Sequence, residues 1–134
     1  MVVVDTNVLA YLLIEGDRTV QAQALYARDP DWRSESFLLV EFSNMLATYV
    51  RSGRLAEGAA RALLANAERT LTGTVNLPHS RALEVATEFA VSAYDARFLA
   101  AAQGLGTRLV TEDTKLRHAA PALTQSLAQA VGGT

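Results

Sequence analysis

Four acidic residues stand at the edges of apolar segments, where a carboxylate either caps a helix or does chemistry. Asp5 follows an apolar run at the N-terminus, and Asp113 follows a second run that ends near Thr111. Glu41 lies inside an apolar segment, and Asp95 opens another. Isolated carboxylates are costly to bury. Four of them in such positions predict a shared metal site.

The chemistry of such a cluster follows from charge repulsion. Carboxylates within about 4–6 Å of one another do not all stay ionised without a cation. Oxygen ligands without histidine or cysteine favour a hard ion, Mg²⁺ or Mn²⁺, and Mg²⁺ can join a few carboxylates to a phosphate. One metal activates the attacking water, and a second can stabilise the leaving oxygen. The acids therefore predict phosphodiester hydrolysis, whereas His79 and His118 lie near prolines at element ends and are expected at the surface.

The segments around these acids predict alternating strands and helices in a single domain, residues 1–134. Because the strands are short apolar runs, they favour a parallel sheet covered on both faces. Ligands bind such sheets beyond the carboxyl ends of the strands, where Asp5 and Asp113 lie. The tail 123–131 fits one more strand or helix. The other predicted strands are 2–4, 32–35, 74–77 and 107–111, and the helices are 8–14, 19–27, 37–51, 55–71, 79–90, 94–103 and a turn at 112–118.

Helical geometry separates the two acids that lie on helices. At about 100° per residue, Glu41 lies at the edge of the apolar arc of its helix, whereas Asp95 lies in the middle of one. Arg97 falls on the side opposite to Asp95. An N-terminal cap would explain Asp95 in a first turn but not its inward direction. Asp5 and Asp113 could likewise be caps, and Glu41 could be a partly exposed helix residue.

The composition fits one globular domain and limits the cellular compartments in which the protein is expected. Half of the 134 residues are hydrophobic, cysteine is absent, and the net charge is −2. No segment approaches the roughly 20 apolar residues of a membrane-spanning helix, and no basic signal-peptide region precedes the first strand. These features predict a cytoplasmic protein, without disulfides and without a membrane. The charge argues against a molecule that binds nucleic acid by overall electrostatics.

The acidic motifs together resemble the PIN-domain family of metal-dependent nucleases and, in length, the VapC-type toxins of bacterial toxin–antitoxin pairs. The resemblance extends from the first strand to at least Leu116. It implies a Rossmann-like three-layer α/β/α sandwich with a central, mainly parallel sheet. The segments that carry it are Val4-Asp5-Thr6-Asn7-Val8-Leu9, Leu39-Val40-Glu41-Phe42-Ser43-Asn44-Met45-Leu46, Ala93-Tyr94-Asp95-Ala96 and Leu109-Val110-Thr111-Glu112-Asp113.

The resemblance also implies roles for individual residues. Asn7 matches the polar residue beside the first acid, where it would hold Asp5 or a metal-bound water. Thr111 matches the position whose hydroxyl braces the site. The implied activity is Mg²⁺- or Mn²⁺-dependent cleavage of RNA. The residues that match the acidic metal-binding and catalytic set are Asp5, Glu41, Asp95 and Asp113.

Partners follow from the same resemblance. The toxins are typically dimers, and each binds a small antitoxin that covers the active site, often with an arginine inserted among the acids. The expected partners are therefore a cognate antitoxin, a second copy of the chain and an RNA, such as tRNA or rRNA. Residues 11–14 make the first helix, 8–14, almost entirely apolar. They are core in the simplest interpretation, but part of this helix could form a groove for the antitoxin.

Three alternatives stay open at the level of sequence. Glu112 adds an acid beside Asp113 and could be a spare ligand or merely exposed. The chain could also keep the fold and bind metal or nucleic acid without cutting. A phospho-acceptor domain of the response-regulator type would cluster acids at strand ends too. It requires a lysine at a late strand end, however, and Lys115 lies in a helical turn instead.

Overall fold

The computed structural model describes residues 1–132, and its strands form one parallel sheet. The strands lie side by side in an order that differs from the chain order, with the first strand in the centre. That order is β3-β2-β1-β4-β5, where β1 is Val2–Val4, β2 is Trp32–Glu35, β3 is Leu71–Val75, β4 is Leu109–Val110 and β5 is Thr124–Gln125.

Helices flank this sheet in the three-layer α/β/α arrangement that was predicted. Helix α6 packs against β1, β2 and β4 with α5 beside it, while α1 contacts α2, α3 and α4. In the described part of the chain, no helix is long and apolar enough to cross a membrane. The helices are α1 (Thr6–Leu13), α2 (Thr19–Arg28), α3 (Phe37–Arg51), α4 (Glu57–Thr70), α5 (His79–Phe89), α6 (Ala93–Gly104), α7 (Thr114–Ala119) and α8 (Leu127–Gly132).

Strand pairing brings two predicted site residues to one edge of the sheet. Val4 of β1 pairs with Val110 of β4, and both strands are fully buried. The residues that follow them, Asp5 and Thr111, therefore emerge side by side at the carboxyl edge. This is the edge at which open parallel sheets bind their ligands.

The predicted elements are present, and their boundaries shift for physical reasons. Leu71 was predicted to end a helix, but it begins β3 because its buried side chain and its pairing with Trp32 hold it in the sheet. Strand β3 therefore covers Leu71–Val75 rather than 74–77. The strand predicted at 107–111 contracts to Leu109–Val110, after a turn at Gly106 with a φ of 72°. The undecided tail contains both a strand, β5, and a helix, α8.

Helix α6 buries most of Arg97, the residue that the helical wheel placed on the side opposite to Asp95. The helix is apolar on nearly all sides, because Ala96 and each residue from 98 to 102 are buried. Only 15% of the Arg97 side chain is exposed, and its guanidinium lies 2.9 Å from Glu35 Oε2. The helical wheel gives the direction of this side chain, but it does not tell whether that side of the helix is a solvent face. A helix covered by the sheet on one side and by α5 on another offers little such face.

Candidate active site

The carboxyl edge of the sheet opens into a cleft of about 530 Å³. All four predicted acids line it, and each comes from a different element: the β1–α1 junction, α3, the first turn of α6 and the loop after β4. The fold therefore brings these carboxylates into one cleft. The complete lining is Asp5, Thr6, Asn7, Phe37, Val40, Glu41, Asn44, Met45, Tyr94, Asp95, Phe98 and Asp113.

Asp5 is the most tightly held of the four acids. Its Oδ1 accepts a hydrogen bond from the backbone N–H of Val8 at 3.0 Å, so it caps α1 as one interpretation expected. Its Oδ2 accepts a hydrogen bond from the Thr111 hydroxyl at 2.5 Å. Both oxygens are thus oriented, and capping and site formation are two consequences of one conformation.

Thr111 connects Asp5 to Asp113. Its side chain is buried, and its Oγ1 accepts a hydrogen bond from the Asp113 N–H at 3.1 Å while donating to Asp5. Asp113 in turn caps α7, because its Oδ1 accepts from the Leu116 N–H at 3.1 Å. One buried hydroxyl therefore braces Asp5 and the start of the Asp113 loop together, as the resemblance implied for Thr111.

Asp95 stands in the first turn of α6 but does not cap it. The cap is Ser92, whose Oγ accepts a hydrogen bond from the Asp95 N–H at 3.0 Å. The Asp95 carboxylate lines the cleft, partly buried, and also hydrogen-bonds the Ser92 side chain. Asp95 therefore supports the start of α6 from the third helical position, while Ser92 is the N-cap residue.

Glu41 and Asn7 occupy the side of the cleft formed by α1 and α3. Glu41 is partly buried, and its Oε1 accepts a hydrogen bond from the Thr6 hydroxyl at 2.6 Å. This bond ties α3 to the first turn of α1. Asn7 is exposed and lines the cleft, but no hydrogen bond joins it to Asp5 among the residues described.

The electrostatics of the cleft disfavour full ionisation. The pKa of Asp5 is raised to about 6, mainly by burial; the hydrogen bonds from Thr111 and Val8 lower it, and the charges of Asp95 and Asp113 raise it. Burial also raises the pKa of Asp95, followed by the charge of Asp113. The charges that act on Asp5 are thus both negative. A cation between the acids would relieve this repulsion.

The donor set fits an open, hydrated metal site rather than a closed cage. In residues 1–132, no three acidic or histidine side chains converge closely enough to enclose an ion. All four donors are carboxylates, which suit Mg²⁺ or Mn²⁺, and Mg²⁺ keeps several of its waters when it binds. Asp5, Asp95 and Asp113, which influence one another electrostatically, are the group that would hold such an ion.

Glu112 does not belong to the cleft. Its Oε2 accepts a hydrogen bond from the Leu127 N–H at 2.9 Å, and its Oε1 forms an ion pair with Arg18. The side chain is only 14% exposed. Both expectations for Glu112, a spare ligand or an exposed acid, are therefore wrong: it fastens α8 and the start of α2 to the end of β4. Lys115 is exposed and also lies outside the cleft lining.

Sequence reasoning missed Glu35, the most buried acid of the described chain. This residue ends β2 and is 1% exposed. Its Oε2 pairs with Arg97 and accepts from the Leu77 N–H, while its Oε1 accepts from the Phe37 N–H at 2.6 Å. The available signal was its position at a strand end, the same signal that identified Asp5.

The aromatic part of the cleft was also missed. Phe37 and Tyr94 stack with ring centroids 5.3 Å apart and an angle of 10° between the rings. Tyr94 is 62% exposed, and Val40 in the same lining is 59% exposed. Each aromatic ring is close in sequence to an acid, since Tyr94 precedes Asp95 and Phe37 lies one helical turn before Glu41.

Comparisons with known proteins agree with this architecture. The crystal structure of PAE2754 from Pyrobaculum aerophilum is similar with a TM-score of 0.79 and 21% identity, over 97% of this chain and 91% of that one. That likeness supports the fold. No curated protein matches the sequence. A family model described as PIN domain matches residues 2–121, which is most of the chain. The chain therefore belongs to the PIN domain family.

Proposed function

We propose that this chain is a Mg²⁺- or Mn²⁺-dependent endoribonuclease that acts in the cytoplasm. PIN domains are typically nucleases and generally use divalent metals. The observation that carries the proposal is the convergence of four carboxylates, from four separate elements, on one open cleft at the carboxyl edge of the sheet. Carboxylates in this arrangement repel one another, and a hydrated metal ion that also binds a phosphate would relieve the repulsion.

The hydrogen bonds of the acidic residues indicate a role for each of them in the proposed site. Asp5, oriented by Thr111 and Val8, would hold the ion together with Asp95 and Asp113. An ion held there would supply a water of lowered pKa and a positive charge for the phosphate. Glu41, oriented by Thr6, stands across the cleft as the fourth acid. Because the pKa of Asp5 is about 6, this residue is ionised and ready to bind a cation above that pH.

Replacing single acids tests this proposal. Asp5→Asn and Asp95→Asn should each lower Mg²⁺-dependent cleavage of a labelled single-stranded RNA by at least about 100-fold, because each removes a ligand charge from the site. Asp31→Asn is the matched control, since Asp31 lies at the amino end of β2, on the opposite edge of the same sheet. Undiminished cleavage by both site variants would refute the assignment.

A second candidate keeps the PIN fold and binds metal or nucleic acid without cutting. The exposed Tyr94 and Val40 of the cleft lining would contact a bound strand whether or not it is cleaved. Calorimetry with Mg²⁺ and the RNA cleavage assay, run on the same sample, separate the two functions. Metal binding without any cleavage would select the binding protein.

A role as a toxin is the finer part of the proposal. Its support is the resemblance in motif order and length to VapC-type toxins. Expression of the chain in bacteria should arrest growth, and Asp5→Asn should relieve the arrest at equal protein levels. If growth is normal although the expressed protein cleaves RNA, the nuclease assignment is retained and the toxin role is rejected. The RNA substrate could then be tRNA or rRNA, which sequencing of cleavage ends would identify.

An antitoxin and a second copy of the chain are the proposed protein partners. A second cleft of about 350 Å³ adjoins the acidic one, with Asn7 and Met45 in both linings. Tyr11 and Ile14 contribute apolar surface from the end of α1. An antitoxin segment lying in both clefts should protect α1 from hydrogen exchange when the two proteins are co-expressed. Unchanged exchange in α1 would contradict this groove, and sedimentation of the purified chain tests the homodimer.

A further inference from the structure

We infer that the stacked pair Phe37–Tyr94 is a platform for an unpaired base, and that it positions a single-stranded or looped RNA beside the acids. The inference rests on the proposed function for its ligand, an RNA. It adds a positioning residue, Tyr94, whose ring would hold the base next to the cleaved bond.

The exposure of Tyr94 is the first observation. One face of its ring lies on Phe37, and yet 62% of the residue remains exposed. The open surface must therefore belong to the other face and to the ring edge. An aromatic face of this kind stacks on a nucleobase as readily as on another side chain.

The charge of the cleft is the second observation. Its lining within the described residues contains four acids and no lysine or arginine. Phosphate contacts by basic side chains, the usual source of nucleic-acid affinity, are therefore absent from this lining. The proposed cation and the apolar surface would then supply the affinity. Of the apolar side chains in the lining, Tyr94 and Val40 are the exposed ones, and Phe37 supports Tyr94 from behind.

Rigidity is the third observation. Glu35 accepts the Phe37 N–H at 2.6 Å and pairs with Arg97, two residues beyond Asp95. The buried ion pair thus joins the start of α3, which carries Phe37, to the start of α6, which carries Tyr94. A platform fixed in this way loses little conformational freedom when a base stacks on it.

Position completes the argument. Tyr94 and Asp95 are consecutive residues, so their Cα atoms are about 3.8 Å apart. A nucleotide whose base lies on Tyr94 can therefore place its own or its neighbour's phosphate among the acids. In a duplex, both faces of each base are already stacked. The platform consequently selects unpaired RNA, and it tolerates any base because every base has an aromatic face.

Equilibrium binding tests the platform without requiring cleavage. Fluorescence anisotropy of a labelled single-stranded RNA, with Mg²⁺ present, is measured on the Glu41→Gln background, which keeps Asp5, Asp95 and Asp113 for the ion. Adding Tyr94→Ala should weaken binding by about 5- to 100-fold, and Tyr94→Phe should preserve it. The same strand in a duplex should bind poorly, with little response to Tyr94. Leu83→Ala is the matched control, because Leu83 is 61% exposed on α5, outside the cleft.

The outcomes separate the platform from the nuclease. If Tyr94→Ala binds the single strand as well as its parent, the platform is refuted even when wild-type protein cleaves RNA. If loss of binding is equal for single strand and duplex, the selection of unpaired bases is refuted. If wild-type protein does not cleave RNA, but binding depends on Tyr94 and on an unpaired strand, the proposed nuclease activity is refuted and the platform is supported. A thermal melt of Tyr94→Ala that matches its parent excludes misfolding as the cause.

Discussion

Two neighbouring strands lead to an acid at their carboxyl ends, and the two carboxylates have opposite surroundings. Glu35 at the end of β2 is 1% exposed, pairs with Arg97 and accepts three further hydrogen bonds. Asp5 after β1 accepts two hydrogen bonds, and the charges acting on it come from Asp95 and Asp113. Burial alone therefore does not mark a functional acid. What distinguishes Asp5 is a negative charge that the protein itself leaves uncompensated.

The largest stability effect should come from breaking the compensated acid. Arg97→Met leaves Glu35 buried without its cation, which should lower the free energy of unfolding by about 3–5 kcal/mol. Urea denaturation measures this. The matched control is Arg61→Met, whose ion pair with Glu57 is exposed and should contribute less than about 1 kcal/mol. The double variant Glu35→Gln with Arg97→Met should recover part of the loss. If Arg97→Met lowers the free energy of unfolding no more than the control does, Arg97 does not compensate the charge of Glu35.

The uncompensated acid should behave in the opposite way. Its pKa is about 6 in the folded state and 3.8 without the fold. The folded protein thus binds this proton more tightly, so the stability associated with Asp5 is complete below about pH 3.8 and is lost as the pH rises through about 6. The two pKa values correspond to a loss of at most about 3 kcal/mol.

We therefore compare the free energy of unfolding of Asp5→Asn with that of wild type at two pH values. The variant's advantage over wild type should be about 1–3 kcal/mol larger at pH 7.5 than at pH 3.5. Urea titrations at the two pH values measure it. Mg²⁺ should raise the melting temperature of wild type more at pH 7.5 than at pH 5, because ionised Asp5 binds the cation. If the stability difference between Asp5→Asn and wild type is the same at both pH values, the fold does not destabilise the ionised form of Asp5.

The smallest effect is expected at an acid of a third kind. Glu112 is paired with Arg18 and bonded to the Leu127 N–H, outside the cleft. Glu112→Gln keeps an acceptor for that N–H and should change the free energy of unfolding by no more than about 1 kcal/mol. Cleavage and Mg²⁺ affinity should remain at the wild-type level. A large loss of cleavage would place Glu112 functionally with the four acids of the cleft.

Much of this arrangement could be predicted from local patterns. Strand ends, apolar arcs and caps are encoded by residues close in sequence, so the parallel fold and the shared position of Asp5, Asp95 and Asp113 followed from the chain. The pair between Glu35 and Arg97 could not be foreseen in this way, because 62 residues separate its members. Only the packing of α6 against β2 brings them together. The stack of Phe37 on Tyr94 was missed for the same reason.

The order of the strands also has a consequence for synthesis. Strand β1 emerges first from the ribosome, yet its neighbour β4 is made more than 100 residues later (Val4 pairs with Val110). Thr111 and Asp113, which orient and complete the acidic cleft, come later still. A nascent chain therefore remains catalytically incomplete until nearly all of its PIN domain has been translated. For the proposed cleavage of RNA, this late assembly would keep a partly made polypeptide inactive while the ribosome is still producing it.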